Sequence, residues 1–264
     1  MKFSNIAVAL AGVAIFGAAG LSHPTHAAEQ VATTKKAAVP KAQAIDPVAF
    51  QAASRMGAYL RSLQAFQVVS TASLEEIVDA QGRKAVTPVS TTYRVKRPDG
   101  FVIDMTTPKK ARRFIYDGKS FTVFAPKVGY FATISAPATI DQTVDLVYEQ
   151  YGVILPLADL FYWGTDVQPT DMVTSAKRLG QEKVGGRDTD HYAFGGPGLS
   201  WEVWIQRGDA PLPLRMKITT MDDPAQPTFT SDLTWTTSVQ FAADTFTFKP
   251  ATDAKPIAMA RVDQ

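Results

Sequence analysis

The feature that most narrows what this chain can fold into is a change of hydrophobic period at Phe66. From there apolar residues recur at every second position in short runs. The runs are parted by turn signals: Asp79-Ala80-Gln81-Gly82, Pro98-Asp99-Gly100 and Asp117-Gly118-Lys119. A period of two sends alternate side chains to opposite faces of a strand. Phe101, Ile103 and Met105 therefore share one face, as do Phe121, Val123 and Ala125 on another strand. Short alternating runs joined by such turns predict antiparallel hairpins, with a further strand over 130–135. After Gly185-Gly186 the pattern resumes over 190–194, 201–206, 214–219, 229–236 and 246–249.

Two other stretches change the period to that of a helix. Asp46 offers an N-cap, Pro47 suits a first helical turn, and Phe50, Ala53, Gly57, Leu60 and Leu63 recur at helical spacing, which predicts a helix over 47–63. Between the strand groups, Ile140, Val144, Val147, Tyr148 and Tyr151 predict a helix over 139–151 stopped by Gly152, and 155–163 reads as a second, short one. Strands that alternate apolar and polar have one dry face, which must be covered. The expected fold is α+β: a curved antiparallel sheet, a half-barrel, with helices packed on or plugging its concave face.

The N-terminus reads as an export signal. Lys2 is its charged region, an uncharged apolar run extends from Ile6 to Leu21, and Thr25-His26-Ala27 precede the expected cleavage before Ala28. The run contains Gly12, Gly17 and Gly20 and is shorter than the ~20 apolar residues of a spanning helix, which argues against a retained anchor. Residues 28–45 are rich in Ala and Lys without aromatics, the composition of a linker. The expected organisation is a signal peptide over 1–27, a disordered linker over 28–45 and a single domain over 46–264, located in the periplasm.

Composition removes several function classes. With no cysteine there is no lipid-attachment cysteine, disulfide, thiolate metal site or Cys nucleophile. Removing Lys2 with the leader leaves 26 Lys+Arg against 25 Asp+Glu, a balance unsuited to tracking nucleic-acid phosphates.

Several motifs resemble a bacterial family of predicted periplasmic proteins. They are Met56-Gly57-Ala58-Tyr59-Leu60, Phe114-Ile115-Tyr116-Asp117-Gly118-Lys119, and Tyr151-Gly152 through Leu155-Pro156-Leu157-Ala158-Asp159-Leu160-Phe161. In the C-terminal half, Asp190-His191-Tyr192-Ala193-Phe194, Trp204-Ile205-Gln206-Arg207-Gly208, Pro211-Leu212-Pro213 and Phe246-Thr247-Phe248-Lys249-Pro250 fall in the matching order. The resemblance covers about residues 45–258. That family is similar in arrangement to the lipoprotein-carrier group represented by LolA, LolB and the mycobacterial LppX, whose half-barrels enclose a hydrophobic cavity for acyl chains. The resemblance implies that fold and such a cavity; it carries over no catalytic or ligand residue.

Each candidate residue has an ordinary structural reading beside its functional one. Phe101, Ile103, Met105, Phe121, Val123, Trp201, Val203, Ile205 and Trp235 are placed by the two-residue period to point inward, where they are either packed core or the lining of a cavity. Phe161, Tyr162 and Trp163, followed by Gly164, have the composition of a lid over a cavity, and Trp163 joins the expected lining. Asp188, Asp190 and His191 form the one acidic-imidazole cluster after the leader. Without another histidine there or any thiol, and without a Gly-x-Ser-x-Gly elbow, neither a metal site nor a serine hydrolase is expected. Lys109, Lys110, Arg112 and Arg113 make a basic run that reads as a solvated loop or a dock for lipid headgroups. Gly195-Gly196-Pro197-Gly198 lacks the Lys-Ser/Thr ending of a phosphate loop and reads as a hairpin turn.

The expected function is therefore non-enzymatic: a periplasmic binding or carrier protein for a lipid or other hydrophobic ligand, with no cofactor. The expected partner is that ligand, with a membrane surface or an envelope protein as a further one and no nucleic acid. The alternative is a structural or interaction protein of the same fold, with a packed interior, that works through its surface.

Overall fold

The computed structural model describes residues 45–79, 81–157 and 173–262. Helix α1 (Pro47–Ser62) begins where Asp46 accepts the Val48 N–H at 2.8 Å, a side-chain cap that satisfies one of the helix's orphan donors. It is followed by β1 (Ala65–Ile77), β2 (Lys84–Lys96), β3 (Gly100–Thr106), β4 (Ala111–Tyr116), β5 (Ser120–Ala125) and β6 (Tyr130–Ser135). Helix α2 (Ile140–Tyr151) ends at Gly152, whose φ of 61° is the left-handed cap that a side chain would strain. The chain then adds β7 (Ser175–Val184), β8 (Arg187–Gly196), β9 (Leu199–Gln206), β10 (Pro213–Thr220), β11 (Thr228–Thr236) and the short β12 (Lys255–Pro256).

All twelve strands form one sheet, in the order β12-β6-β5-β4-β3-β2-β1-β11-β10-β9-β8-β7. It consists of two meanders joined at β1 and β11, which pair antiparallel with Val68 opposite Trp235 and Leu74 opposite Phe229. Every pairing is antiparallel except β12 on β6. Twist accumulates over so many strands and curls the sheet, producing the half-barrel.

The concave face carries the core. One cluster of buried side chains takes residues from β1–β5 and β7–β11 together with Met56 and Leu60 of α1 and Ile140, Val144 and Val147 of α2. The helices therefore cover the dry side of the sheet. The opposite face has a second, small cluster of Val102, Ile115 and Phe246, with Phe241 and Phe248 packed against it.

Two sequence expectations are corrected, and one strand is added. Residues 246–249 are not a strand: Thr245 and Thr247 donate to Ala242 and Asp244 in tight turns, and Phe246 packs over Gly100 on the convex face. Residues 155–157 are not helical, because Leu157 has a φ of 48°; the remainder of 155–163 lies outside the described residues. Strand β7 was not foreseen, since its centre is exposed and polar on both faces.

Candidate functional site

The concave face is where a ligand would be met, and the two-residue period determines which side chains reach it. In β3, Phe101 and Ile103 are fully buried and Met105 is half-buried nearer the rim. In β5, Phe121 is fully buried and Val123 half-buried. Phe101 lies 5.4 Å from the Tyr116 ring and 6.2 Å from Phe121, and Phe121 stacks with Phe114 at 6.4 Å, so this wing is an aromatic layer. On the other wing Val203, Ile205 and Trp235 are buried, and Trp201 is half-buried against Phe194 at 5.6 Å. Trp235 packs on Phe66 at 5.7 Å and donates its indole N–H to the Pro213 carbonyl at 2.7 Å. Trp163, with Phe161 and Tyr162, lies outside the described residues.

Two of the expected lining residues, Trp201 and Val203, border a cavity among the described residues. A cavity of about 40 Å³ sits between α1 and strands β8 and β9, lined by Phe50, Ala53, Met56, Val173, Phe194, Trp201 and Val203. The side chains that line it are hydrophobic, and polar atoms contribute a smaller part of its surface. The helical period of Phe50 and Ala53 marks them as inward-facing, but nothing in a single sequence says that β9 stands opposite them. A pocket for a drug-sized ligand measures roughly 300–1,000 Å³, so this cavity as it stands holds a fragment of such a ligand.

The centre of the concave face is polar. Ser70, Thr91 and Ser231 are each at most 2% exposed, and the Ser70 and Ser231 hydroxyls hydrogen-bond at 2.7 Å. Tyr93 is 1% exposed, and its phenol makes no hydrogen bond of ordinary length and angle among the described residues, the Thr91 side chain being the polar group that acts on it. Burial raises that phenol far above the usual tyrosine range. No sequence signal singled these four out, because Ser, Thr and Tyr on an alternating strand are as often wet as buried.

The His191 cluster assembles differently from the sequence expectation. Asp188 and Asp190 alternate with His191 and so point to the other face: Asp188 pairs with Lys183 at 2.6 Å, and Asp190 with Arg178 at 2.8 Å. On the convex face the imidazole is held between Glu182 (Nδ1, 3.1 Å) and Glu202 (Nε2, 2.8 Å) and stacks on Trp204 at 3.8 Å. The Trp204 indole N–H donates to Glu182 at 3.0 Å and, with His191, holds that carboxyl below its ordinary value. Both ring nitrogens are thus engaged by carboxylates, a structural role. Among the described residues no group of three His, Asp or Glu side chains is placed to hold a metal ion.

The basic run divides. Lys109 and Lys110 lie in the β3–β4 turn, whereas Arg112 and Arg113 belong to β4 and face opposite sides of the sheet. Arg113 binds Asp104 at 2.5 and 3.2 Å on the convex face; Arg112, on the concave face, donates to the Ala111 carbonyl at 2.9 Å. Pro197-Gly198 is the tight turn between β8 and β9, with Gly198 at a φ of 72°.

Residues 49–260 match the model of a family described as predicted periplasmic protein, DUF2092. The chain belongs to this family. The description of DUF2092 supports a periplasmic location, and the matched residues contain the described strands, α2 and all of α1 after its first two residues. No curated protein matches the chain. Among solved structures it is similar to LprF from Mycobacterium bovis (15% identity, TM-score 0.41, covering 74% of this chain and 96% of that one). It is also similar to the lipoprotein LppX of Mycobacterium tuberculosis (12%, TM-score 0.38, 74% and 98%). A third is a LolA superfamily protein from Nitrosomonas europaea (11%, TM-score 0.32, 76% and 97%). These scores are low, and the half-barrel of this DUF2092 member follows from its own strand order and register.

Proposed function

We propose that this protein is a non-enzymatic binding or carrier protein that takes up a lipid or other hydrophobic ligand between its concave sheet face and its helices. The observation that supports this most is the cavity between α1 and β8–β9, lined by hydrophobic and aromatic side chains. The lining would extend from Trp201 and Val203 along the same face to Ile205, Trp235, Phe101, Ile103, Met105, Phe121 and Val123, with Trp163 contributing from beyond the described residues. Export would proceed by cleavage after Ala27, leaving 28–45 as a linker and 46–264 as one domain. Uptake is a matter of burial: each methylene moved from water into an apolar interior is worth about 0.8 kcal/mol, and no covalent step is needed.

A second reading has its own support. The cavity measures about 40 Å³, and Phe101, Ile103 and Phe121 are each 0% exposed, as in a filled core. In that reading the protein works through its surface or through the open edge of β7, where Leu179 is 49% exposed. One experiment separates the two: native mass spectrometry of protein purified from its own periplasm, with lipid analysis of the organic extract. A stoichiometric acyl-bearing adduct supports the carrier. A clean apo mass that persists after incubation with envelope lipids supports the packed protein.

A further inference from the structure

The hydroxyls at the centre of the concave face have unequal fates. Ser70 on β1 and Ser231 on β11 satisfy one another. Tyr93 on β2 stands in register with Val68 on one side and Ile103 on the other; its hydroxyl makes no hydrogen bond of ordinary length and angle, and the polar group that acts on it is the Thr91 side chain on the same face. A buried hydroxyl that forgoes both water and a protein partner is costly to keep, and in native interiors such groups are usually met by something else. The group lies one step inside the rim. The next residue along the same face of β2 is Thr91, whose β3 partner Met105 is half-buried, and Val89 beyond it is half-buried too. The nearby cations on this side of the sheet are Arg112, opposite Met105 and so two strands from Thr91, about 10 Å at ordinary strand spacing, and Arg97, four residues beyond Tyr93 and so about 13 Å along the chain, near Asp141 of α2. The site is thus neutral and hydrogen-bonding, within apolar surroundings.

We propose that the Tyr93 hydroxyl is the polar recognition point of the concave face. It donates to an uncharged oxygen, the ester carbonyl or alcohol of an acyl-chain amphiphile, whose chain lies along Phe101 and Ile103. This assignment rests on the carrier reading above and narrows it from any hydrophobic ligand to one with a neutral polar head.

The test uses the mature protein and its Tyr93→Phe variant. Each is mixed with monopalmitoylglycerol, palmitate and hexadecane together, and the retained ligand is measured by native mass spectrometry. Tyr93→Phe keeps the ring and removes a hydroxyl that makes no hydrogen bond of ordinary geometry, so its apo melting temperature is expected at or above that of the wild type. The wild type is expected to retain the monoacylglycerol over both competitors, and the variant to lose about 2- to 10-fold of that preference with hexadecane retention unchanged, the worth of one neutral hydrogen bond. If the wild type retains none of the three, the carrier reading fails and takes this assignment with it. If it retains ligand but the variant shows the same preference, the carrier stands and the Tyr93 assignment is overturned, its hydroxyl being met by buried water. Tyr93-dependent retention of palmitate above the ester overturns the neutral-head specificity.

Discussion

Filling the cavity under α1 tests both the void and its use. Ala53 lines it from the helix, and Ala53→Met adds an unbranched side chain suited to irregular gaps. An empty apolar space costs roughly 24 cal/mol per Å³, so about 40 Å³ is worth about 1 kcal/mol. Met gives up a few tenths of a kcal/mol of helix propensity against Ala, leaving a net gain of about 0.5–1 kcal/mol. With a urea m-value of about 2 kcal/mol per M, the unfolding midpoint should rise by roughly 0.25–0.5 M at unchanged slope. The same side chain takes the place of about two ligand methylenes at ~0.8 kcal/mol each, so binding of an acyl-chain probe should weaken about tenfold. A midpoint that falls would mean that α1 and β9 already fill the space. A midpoint that rises while probe binding is unchanged would separate the cavity from the ligand site.

Three further substitutions address the rest of the sheet. Phe121→Ala should cost about 3–5 kcal/mol by chemical denaturation, because the ring is fully buried against Phe101 and Phe114; a loss below about 1 kcal/mol would mean that it faces a void. Burial works against ionised Asp104, but the Arg113 and Arg94 guanidiniums prevail and hold its carboxyl below the ordinary range. A depressed folded pKa gives stability that is complete above the unfolded value of about 3.9 and lost as pH falls through the folded one, so Asp104→Asn should flatten the wild-type loss below about pH 4. At pH 7 the same variant should cost about 1–2 kcal/mol, since two guanidiniums would then face a neutral amide. His191→Ala should lower stability by about 1–2 kcal/mol through the lost bonds to Glu182 and Glu202, measured by thermal melting, and should leave ligand retention intact. Loss of a cellular phenotype with the fold unharmed would return His191 to consideration as a catalytic group.

What the sequence made legible follows from what its periods encode. Alternation placed Phe101, Ile103, Val203 and Ile205 on the concave face, because a strand's faces are set locally. It misled at Phe246 and Phe248, which alternate like strand residues but pack from a turn segment onto the convex face, Phe246 over Gly100 and Phe248 against Phe124 and Phe131. Strand β7 escaped because an edge strand wet on both faces, with Lys177, Arg178, Gln181 and Lys183, has no dry face to alternate with. Pairing across distance was also hidden: the neighbours of His191 in sequence are Asp188 and Asp190, but strand register gives it Glu182 and Glu202. The cavity needed the same long-range knowledge, that α1 lies over β8 and β9.

Whether a concave face this well filled can admit a chain depends on what the ligand must displace, and the two helices differ in that respect. Helix α1 meets the sheet largely through small residues, Ala49, Ala52 and Gly57, and buries two large side chains, Met56 and Leu60. At about 1.5–3 kcal/mol each these hold it with roughly 3–6 kcal/mol of apolar burial. Helix α2 commits Ile140, Val144 and Val147, about half as much again. Ten methylenes of an acyl chain bring about 8 kcal/mol, which exceeds the hold on α1, so a ligand can enter by lifting α1 rather than by finding a ready pocket. The lifted helix would remain tethered at its start, where the Asp46 N–H donates to the Ala176 carbonyl at 2.9 Å. Hydrogen exchange checks this directly: on saturation with an acyl ligand, amides from Met56 to Ser62 should exchange faster while those of α2 do not change. Slower exchange throughout α1 would mean that the chain packs beneath a closed helix, and displacement would be the wrong account of how the half-barrel is loaded.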